Sequence, residues 1–350
     1  MRFKENPIIT PASIKPSQQD FEVACVLNPA VTTYNDEIIL LMRVAQRPPQ
    51  EKGYISALVL DLQNGGNKIL RFKKDDPKLE ILDSRVFRYD GIIYLTTMSH
   101  LQIARSKDAI NFVVDDKPFI APQGRDEQYG LEDARITKFG DTYYIYYVAA
   151  SSYGISTVLA TTKDWVTFER GDIIFPAMNK DVAIFPEKIN GNYYALTRPD
   201  TEPYAAPSMW LACSPNLQNW GKHTFLISPR QGMWDSARIG AGTVPLKTND
   251  GWLEIYHGAN FKHEYCLGLL LLDSKKPEKI IHRSDQPIMQ PEELYETQGF
   301  FSKVIFTNGM AEKNGSLYLY YGAADKYICG AKLTTQELLD NCKPRRNLSG

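Results

Sequence analysis

Residues 131–150 read LEDARITKFGDTYYIYYVAA. Two acids, Glu132 and Asp133, open a short run of mixed apolar and polar residues. A Phe-Gly-Asp turn follows, and then a stretch crowded with tyrosine. β-Branched and aromatic residues in short runs bounded by turn signals predict strands, and a tight turn between two such runs predicts a hairpin. Three further stretches share the plan: LDSRVFRYDGIIYLTTM (82–98), KDVAIFPEKINGNYYALTRP (180–199) and WDSARIGAGTVPLKTNDGWLEIYHGA (234–259). Their turns, Tyr-Asp-Gly, Ile-Asn-Gly and Asn-Asp-Gly, supply residues that tolerate positive φ.

Another strand follows in three cases and carries its own signature: LQIARSKDAINF (101–112), TVLATTKDWVTF (157–168) and LACSPNLQNW (211–220). The openings near Leu82, Leu131 and Lys180 lie roughly 50 residues apart, the period of propeller blades. Weaker copies occur at NPAVTTYNDEIILLMRVA (28–45) and VIFTNGMAEKNGSLYLYYGAAD (304–325). The count is five or six, because the terminal units can combine to close one blade. No Pro/Gly/Ser linker divides the chain, so one domain spanning 1–350 is expected. Helical periodicity is confined to TTQELLDNC (334–342).

Bulk properties exclude several classes of function. The chain has 350 residues, 40 basic against 41 acidic side chains and a formal charge of −1. A nucleic-acid binder needs a net basic face to displace counterions, so none is expected. The apolar stretch around Leu267 to Leu272 is far too short to cross a bilayer. Cys25, Cys213, Cys266, Cys329 and Cys342 are scattered and odd in number, which points away from disulfides and zinc and towards buried thiols in a reducing compartment. The opening MRFKENPIITPAS lacks an apolar run of signal-peptide length. A cytoplasmic protein without a metal is the expectation.

Inner strands of a propeller converge on one funnel, so equivalent positions of the repeat should meet there. Those positions are charged: Asp83 and Arg85, Glu132, Asp133 and Arg135, Lys180 and Asp181, Asp235 and Arg238. Arg198, Arg43, Asn28, His257 and Asp325 join them. Taken singly, each reads as a salt bridge or a strand-end cap. Taken together, acids alternating with bases suit a cleft shared by a neutral sugar and an anion.

At this point a resemblance becomes specific. GLEDARI (130–136), DVAIFPEKINGNYYALTRP (181–199), the whole 234–259 stretch, and YETQGFF (295–301) with VIFTNG (304–309) resemble the β-mannoside phosphorylases of glycoside hydrolase family 130. The likeness runs from Asn28 to Asp325. It implies a five-bladed β-propeller, and the blade number is taken from it. It also implies a catalytic acid at Asp133, in an E-D-x-R motif, whose proton reaches the glycosidic oxygen through the sugar's own 3-hydroxyl. By the same resemblance Lys180, Arg198, Arg238, Tyr256 and His257 hold phosphate, with Arg85 a further candidate. Asp325, Asn28 and Arg43 contact the mannosyl ring.

The chemistry agrees with the residue types. Inverting cleavage needs an acid on one face of the sugar and a nucleophile on the other. Phosphate is already an anion and needs cations to hold it in line, whereas water needs a second carboxylate as base. The residues set opposite Asp133 are mostly basic, which favours phosphorolysis to α-mannose 1-phosphate, with inorganic phosphate as co-substrate and no cofactor. An inverting β-1,2-mannosidase and a non-catalytic glycan-binding propeller are the alternatives. β-1,4-Linked substrates, such as mannosyl-N-acetylglucosamine or mannooligosaccharides, are the leading expectation, and β-1,2-mannobiose is also used within the family. Homo-oligomerisation is left open.

Other residues have plainer readings. Glu132 should alternate away from Asp133 on a strand and pair structurally. Glu187 is a candidate hydrolytic base. Gly240 to Gly242 suit close packing near the axis, since no helix follows as a dinucleotide loop requires. His100, His223, His263 and His282 are expected at the surface or in loops, and Trp165 and Trp220 in blade packing. Tyr129 and Phe300 are candidates for stacking on a sugar.

Overall fold

The computed structural model describes residues 1–342 and is all-β. Its helices are short: Leu294–Thr297, Thr335–Asp340 within the stretch predicted helical, and two single 3-10 turns.

Strands follow one another as antiparallel meanders. Glu22–Tyr34, Glu37–Arg47 and Met98–Ser106 form the first. Gly130–Phe139, Thr142–Ser151, Gly154–Thr162 and Glu169–Phe175 form the second, joined to the first by a single parallel pair, Gly130 with Ser99. Asn179–Ile184 through Gly221–Ile227 make the third, Arg238–Ala241 through Ile280–Arg283 the fourth, and Ile305–Lys313, Ser316–Ala323 and Tyr327–Leu333 the fifth. The chain's start returns to its end: Arg2 bridges Ala331 and Ile9 bridges Ile328. First and last sheets also touch directly, since a Cβ on Gly309 would lie 2.7 Å from the Val31 backbone nitrogen.

The predicted turn chemistry is present at Tyr-Asp-Gly and Ile-Asn-Gly, whereas at Phe-Gly-Asp only Gly140 and at Asn-Asp-Gly only Gly251 has positive φ. Asn35 and Asp36, Asp90 and Gly91, Asn190 and Gly191, and Asn314 and Gly315 all have positive φ at both central positions, as a two-residue hairpin requires. The outer-strand signature is also one structure repeated. Ser106 with Asp108, Thr162 with Asp164 and Ser214 with Asn216 each cap a turn, the Asx side chain accepting backbone N–H groups two and three residues on. Trp165 sits within one of these turns and is buried in the core with Tyr143, Tyr147 and Ile145. Complete burial of each aliphatic member contributes about 1.5–3 kcal/mol.

One unit departs from the expected repeat. Residues 82–98 do not open a meander. Leu79–Ile81, Val86–Tyr89 and Ile92–Leu95 form a separate three-stranded sheet, inserted with the Tyr54–Leu60/Asn67–Lys73 hairpin between two strands of the first meander. The Asp-Gly turn specifies a hairpin locally, but local turn chemistry does not decide which sheet the hairpin joins. The true opening is Glu22–Tyr34, read above as a weak copy. His100 also differs from expectation: it is buried in Met98–Ser106, between Gln46 at 2.8 Å and Gln102 at 2.9 Å.

The inner strands share a device that shapes the site. Register shifts occur between Leu27 and Ala30, Glu132 and Arg135, and Lys180 and Ala183. At these bulges Asn28, Asp133 and Asp181 have φ of 46°, 47° and 54°. Asn and Asp enter this region more readily than other residues with a side chain. A bulge breaks the in–out alternation of a strand, so two successive side chains can face the same way. Three such pairs do so: Leu27 and Asn28, Glu132 and Asp133, Lys180 and Asp181 all line one cavity.

Candidate active site

That cavity has a volume of about 830 Å³. On one wall the Asp133 carboxylate is gripped at a single oxygen. Asn28 Nδ2 donates to Oδ1 at 2.9 Å and Arg43 Nη1 at 3.3 Å. Arg43 is itself fixed by Glu132 Oε1 at 2.7 Å and by Ser99 Oγ at 3.0 Å. Glu132 therefore pairs structurally, as expected, but it faces the cavity beside Asp133 and does not alternate away from it; the bulge is the reason. Asp325, at φ 48°, lines the same wall and is bound by Arg85 Nη1 at 3.3 Å. Burial pushes the Asp325 carboxyl above the usual carboxylate range; Arg85 and Arg43 oppose the shift and Asp133 adds to it.

Cations gather on strands of the third and fourth sheets. Lys180, Arg198, Arg238 and His257 all line the cavity, together with Asp181. Lys180 and Arg198 face each other across one strand pair; Arg238 and His257 come from the next sheet. Asp181 is nearly fully buried and holds the group together. Its Oδ2 lies 2.6 Å from Arg198 Nε and 3.3 Å from His257 Nε2, and its Oδ1 4.0 Å from Arg135 Nη2. Burial works against the charge on Asp181, yet Arg198, His257 and Arg135 outweigh it and hold the carboxyl well below its ordinary range. Burial, then Arg198, lowers the Lys180 ammonium below an ordinary lysine. Burial also lowers His257, against the pull of Asp181.

Gly240 permits this packing: a Cβ there would lie 2.3 Å from Asp181 Oδ2 and 2.6 Å from His257 Cε1. The expected close-packing role of the Gly-Ala-Gly stretch is thereby accounted for. Arg135, equivalent in the repeat to a site residue, instead donates to the Gly242 and Ala241 carbonyls and is fully buried.

Of the residues expected at the site, Asp133, Lys180, Arg198, Arg238, His257, Asn28, Arg43, Asp325, Tyr129 and Phe300 line the cavity. Tyr256 does not. It precedes His257 on a regular strand, so its side chain points to the other face, where its hydroxyl donates to Asp235 Oδ2 at 2.8 Å and accepts from Arg283 at 3.1 Å. Arg85 lines the cavity, but its guanidinium is engaged by Asp83 at 3.0 Å and by Asp325, and it stacks 3.8 Å above the Phe301 ring. It thus serves Asp325 and is not free among the cations. Asp235 is buried between Arg230, Arg283 and Tyr256, away from the cavity. Glu187, the candidate hydrolytic base, is exposed beside Lys247 and outside the cavity.

Asp181, named above among the charged positions but given no role, and Tyr265, which was not named, also contribute. Asp181 occupies the repeat position of Asp133, a signal that was available. Tyr265, whose hydroxyl accepts from Arg238 at 3.4 Å, carries no motif. Among the described residues, no group of three or more His, Cys, Asp or Glu side chains is placed to hold a metal ion.

A carboxyl gripped by Asn28 and Arg43 and a group of cations thus line one cavity, an arrangement that suits acid-assisted cleavage of a glycoside beside a bound anion. Comparison with known proteins agrees. The family model described as beta-1,4-mannooligosaccharide phosphorylase matches residues 67–344, and the chain belongs to that family, glycoside hydrolase family 130. The family's phosphorylases use inorganic phosphate as co-substrate and no cofactor. The chain is 42% identical over 343 residues to the beta-1,2-mannobiose phosphorylase of Listeria innocua, covering 97% of each protein. It is 40% identical over 246 residues to a 1,2-beta-oligomannan phosphorylase of a Thermoanaerobacter species, covering 69% of this chain and 80% of that one. The solved structure of the Listeria innocua enzyme in complex with beta-1,2-mannobiose superposes with a TM-score of 0.95 at 41% identity, covering 97% and 98% of the two chains.

Proposed function

We propose that the protein is an inverting phosphorylase that splits a β-1,2-linked mannoside with inorganic phosphate, releasing α-mannose 1-phosphate. One observation carries this reading. Lys180, Arg198, Arg238 and His257 line the same cavity as Asp133, so an anion and a proton donor can address the two faces of one sugar. Asp133 acts as the acid, its proton passing to the departing oxygen through the sugar's 3-hydroxyl on the family's pattern. A phosphate oxygen forms the new bond to C1 as the C1–O glycosidic bond breaks. Asn28, Arg43 and Asp325 hold the mannosyl ring, and Arg85 holds Asp325. Tyr129 and Phe300 offer ring faces at the wall.

The β-1,4 linkage expected from sequence gives way to β-1,2 in this proposal. Support comes from two relatives at 42% and 40% identity, both named for β-1,2-linked substrates. The reading extends to one five-bladed propeller domain: the five meanders would be its blades, closed by the pairing of residues 2 and 9 with Tyr327–Leu333. A cytoplasmic location fits five free cysteines, all buried.

The linkage is tested by supplying β-1,2-mannobiose and β-1,4-mannobiose separately with phosphate and measuring mannose 1-phosphate. Faster release from the β-1,2 disaccharide is expected. Preference for the β-1,4 disaccharide would restore the sequence expectation.

A further inference from the structure

Asp181 is an anomaly in a pocket meant for an anion, because an ionised carboxylate only accepts hydrogen bonds and repels another oxyanion. It is nonetheless built in deliberately. The bulge and the φ of 54° turn it to the cavity beside Lys180, and Gly240 is kept bare to make room for it. Its Oδ2 makes ion-pair contacts with Arg198 at 2.6 Å and with His257 at 3.3 Å. Asp181 Oδ2, Arg198 Nε, Arg238 Nε and both imidazole nitrogens of His257 are buried polar atoms without a hydrogen-bond partner among the described residues. Such a cluster calls for a ligand that both accepts and donates.

We propose that Asp181 is a specificity-determining residue that selects an oxyanion still carrying a proton. Its carboxylate accepts a hydrogen bond from the P–OH of hydrogenphosphate, while Arg198, Arg238 and Lys180 donate to the ionised oxygens. Hydrogenphosphate and hydrogenarsenate bring that proton. Sulfate is fully ionised near neutral pH and brings no proton to donate to the Asp181 carboxylate. The device works as rejection of a wrong ligand as well as recognition of the right one. Within the anion group itself, Lys180, Arg198 and Arg238 less Asp181 leave two positive charges, which match a dianion.

This inference rests on the reading of the cationic group as a phosphate site, and the test separates the two. Binding of phosphate, arsenate and sulfate to the full chain is measured at neutral pH by calorimetry, for the wild type and for Asp181→Asn. In the wild type, phosphate and arsenate are expected to bind at least about 100-fold more tightly than sulfate; a site built to hydrogen-bond a ligand's hydroxyl can reject the analogue lacking it by as much as about 10⁴–10⁵. In Asp181→Asn the phosphate-to-sulfate ratio is expected to fall below about tenfold, because an amide can donate to sulfate. A residue serving structure alone would weaken all three anions together and leave that ratio unchanged. Wild-type enzyme that binds sulfate as tightly as phosphate overturns the inference even if the variant fails to fold, as does a variant that keeps the wild-type ratio. Failure of the wild type to bind any of the three would remove the phosphate site itself, and this inference with it.

Discussion

Asn28 Nδ2 and Arg43 Nη1 converge on one oxygen of Asp133, at 2.9 Å and 3.3 Å. Both donors come from the first meander and the acid from the second, so the proton donor is positioned across a sheet boundary. In the proposed mechanism the second oxygen, Oδ2, carries the proton. Asp133→Asn should lower kcat by about 10²–10⁴, the usual contribution of a general acid. The thermal midpoint should stay close to that of the wild type. An unfolded variant would show that the carboxylate serves the bulge and not the chemistry.

The two arginines of the anion pocket differ in what they leave behind. Arg238 faces Tyr265 and has no acidic partner within 4.0 Å among the described residues, so Arg238→Ala should raise the KM for phosphate at least about tenfold with little loss of stability. Arg198 neutralises buried Asp181, and Arg198→Ala strands that charge at a cost of about 3 kcal/mol or more. Its effect on phosphate KM should therefore come with a lowered melting temperature. Equal weakening of phosphate and mannoside by Arg238→Ala would take this arginine out of the anion site.

Lys180 sets a pH limit. Its charged form, which phosphate needs, exists below its pKa, and burial together with Arg198 holds that pKa beneath the ordinary 10.5. Phosphate affinity should thus decline on the alkaline side at a lower pH than a free lysine would dictate. Bound phosphate raises the pKa again by linkage. Lys180→Arg keeps its charge and should move the decline to higher pH. The measurement is phosphate affinity against pH for both proteins, and superimposable curves would contradict the assignment.

Much of the site was legible because the repeat places like positions together. The E-D-A-R string located Asp133, and the aromatic strand after each hairpin turn located the hydrophobic layers. What stayed hidden depended on backbone details that side-chain patterns do not encode. The bulges after Leu27, Glu132 and Lys180 brought Glu132 and Asp181 to the cavity against strict alternation. Conversely, alternation holds without interruption at Tyr256–His257, which sends Tyr256 to the buried Asp235 cluster although its neighbour faces the anion pocket. Arg85 reaches the cavity by an unexpected route: a hairpin with sound local turn chemistry belongs to an inserted sheet, and only the folded chain shows Arg85 against Asp325.

The most direct measurement follows the mannosyl group of a β-mannoside with and without inorganic phosphate. If the cationic pocket delivers the nucleophile, mannose 1-phosphate forms in its α configuration when phosphate is present, and turnover nearly stops when it is withheld. Undiminished release of free mannose in phosphate-free buffer would mean that water attacks, and the cations around Asp181 would need another purpose.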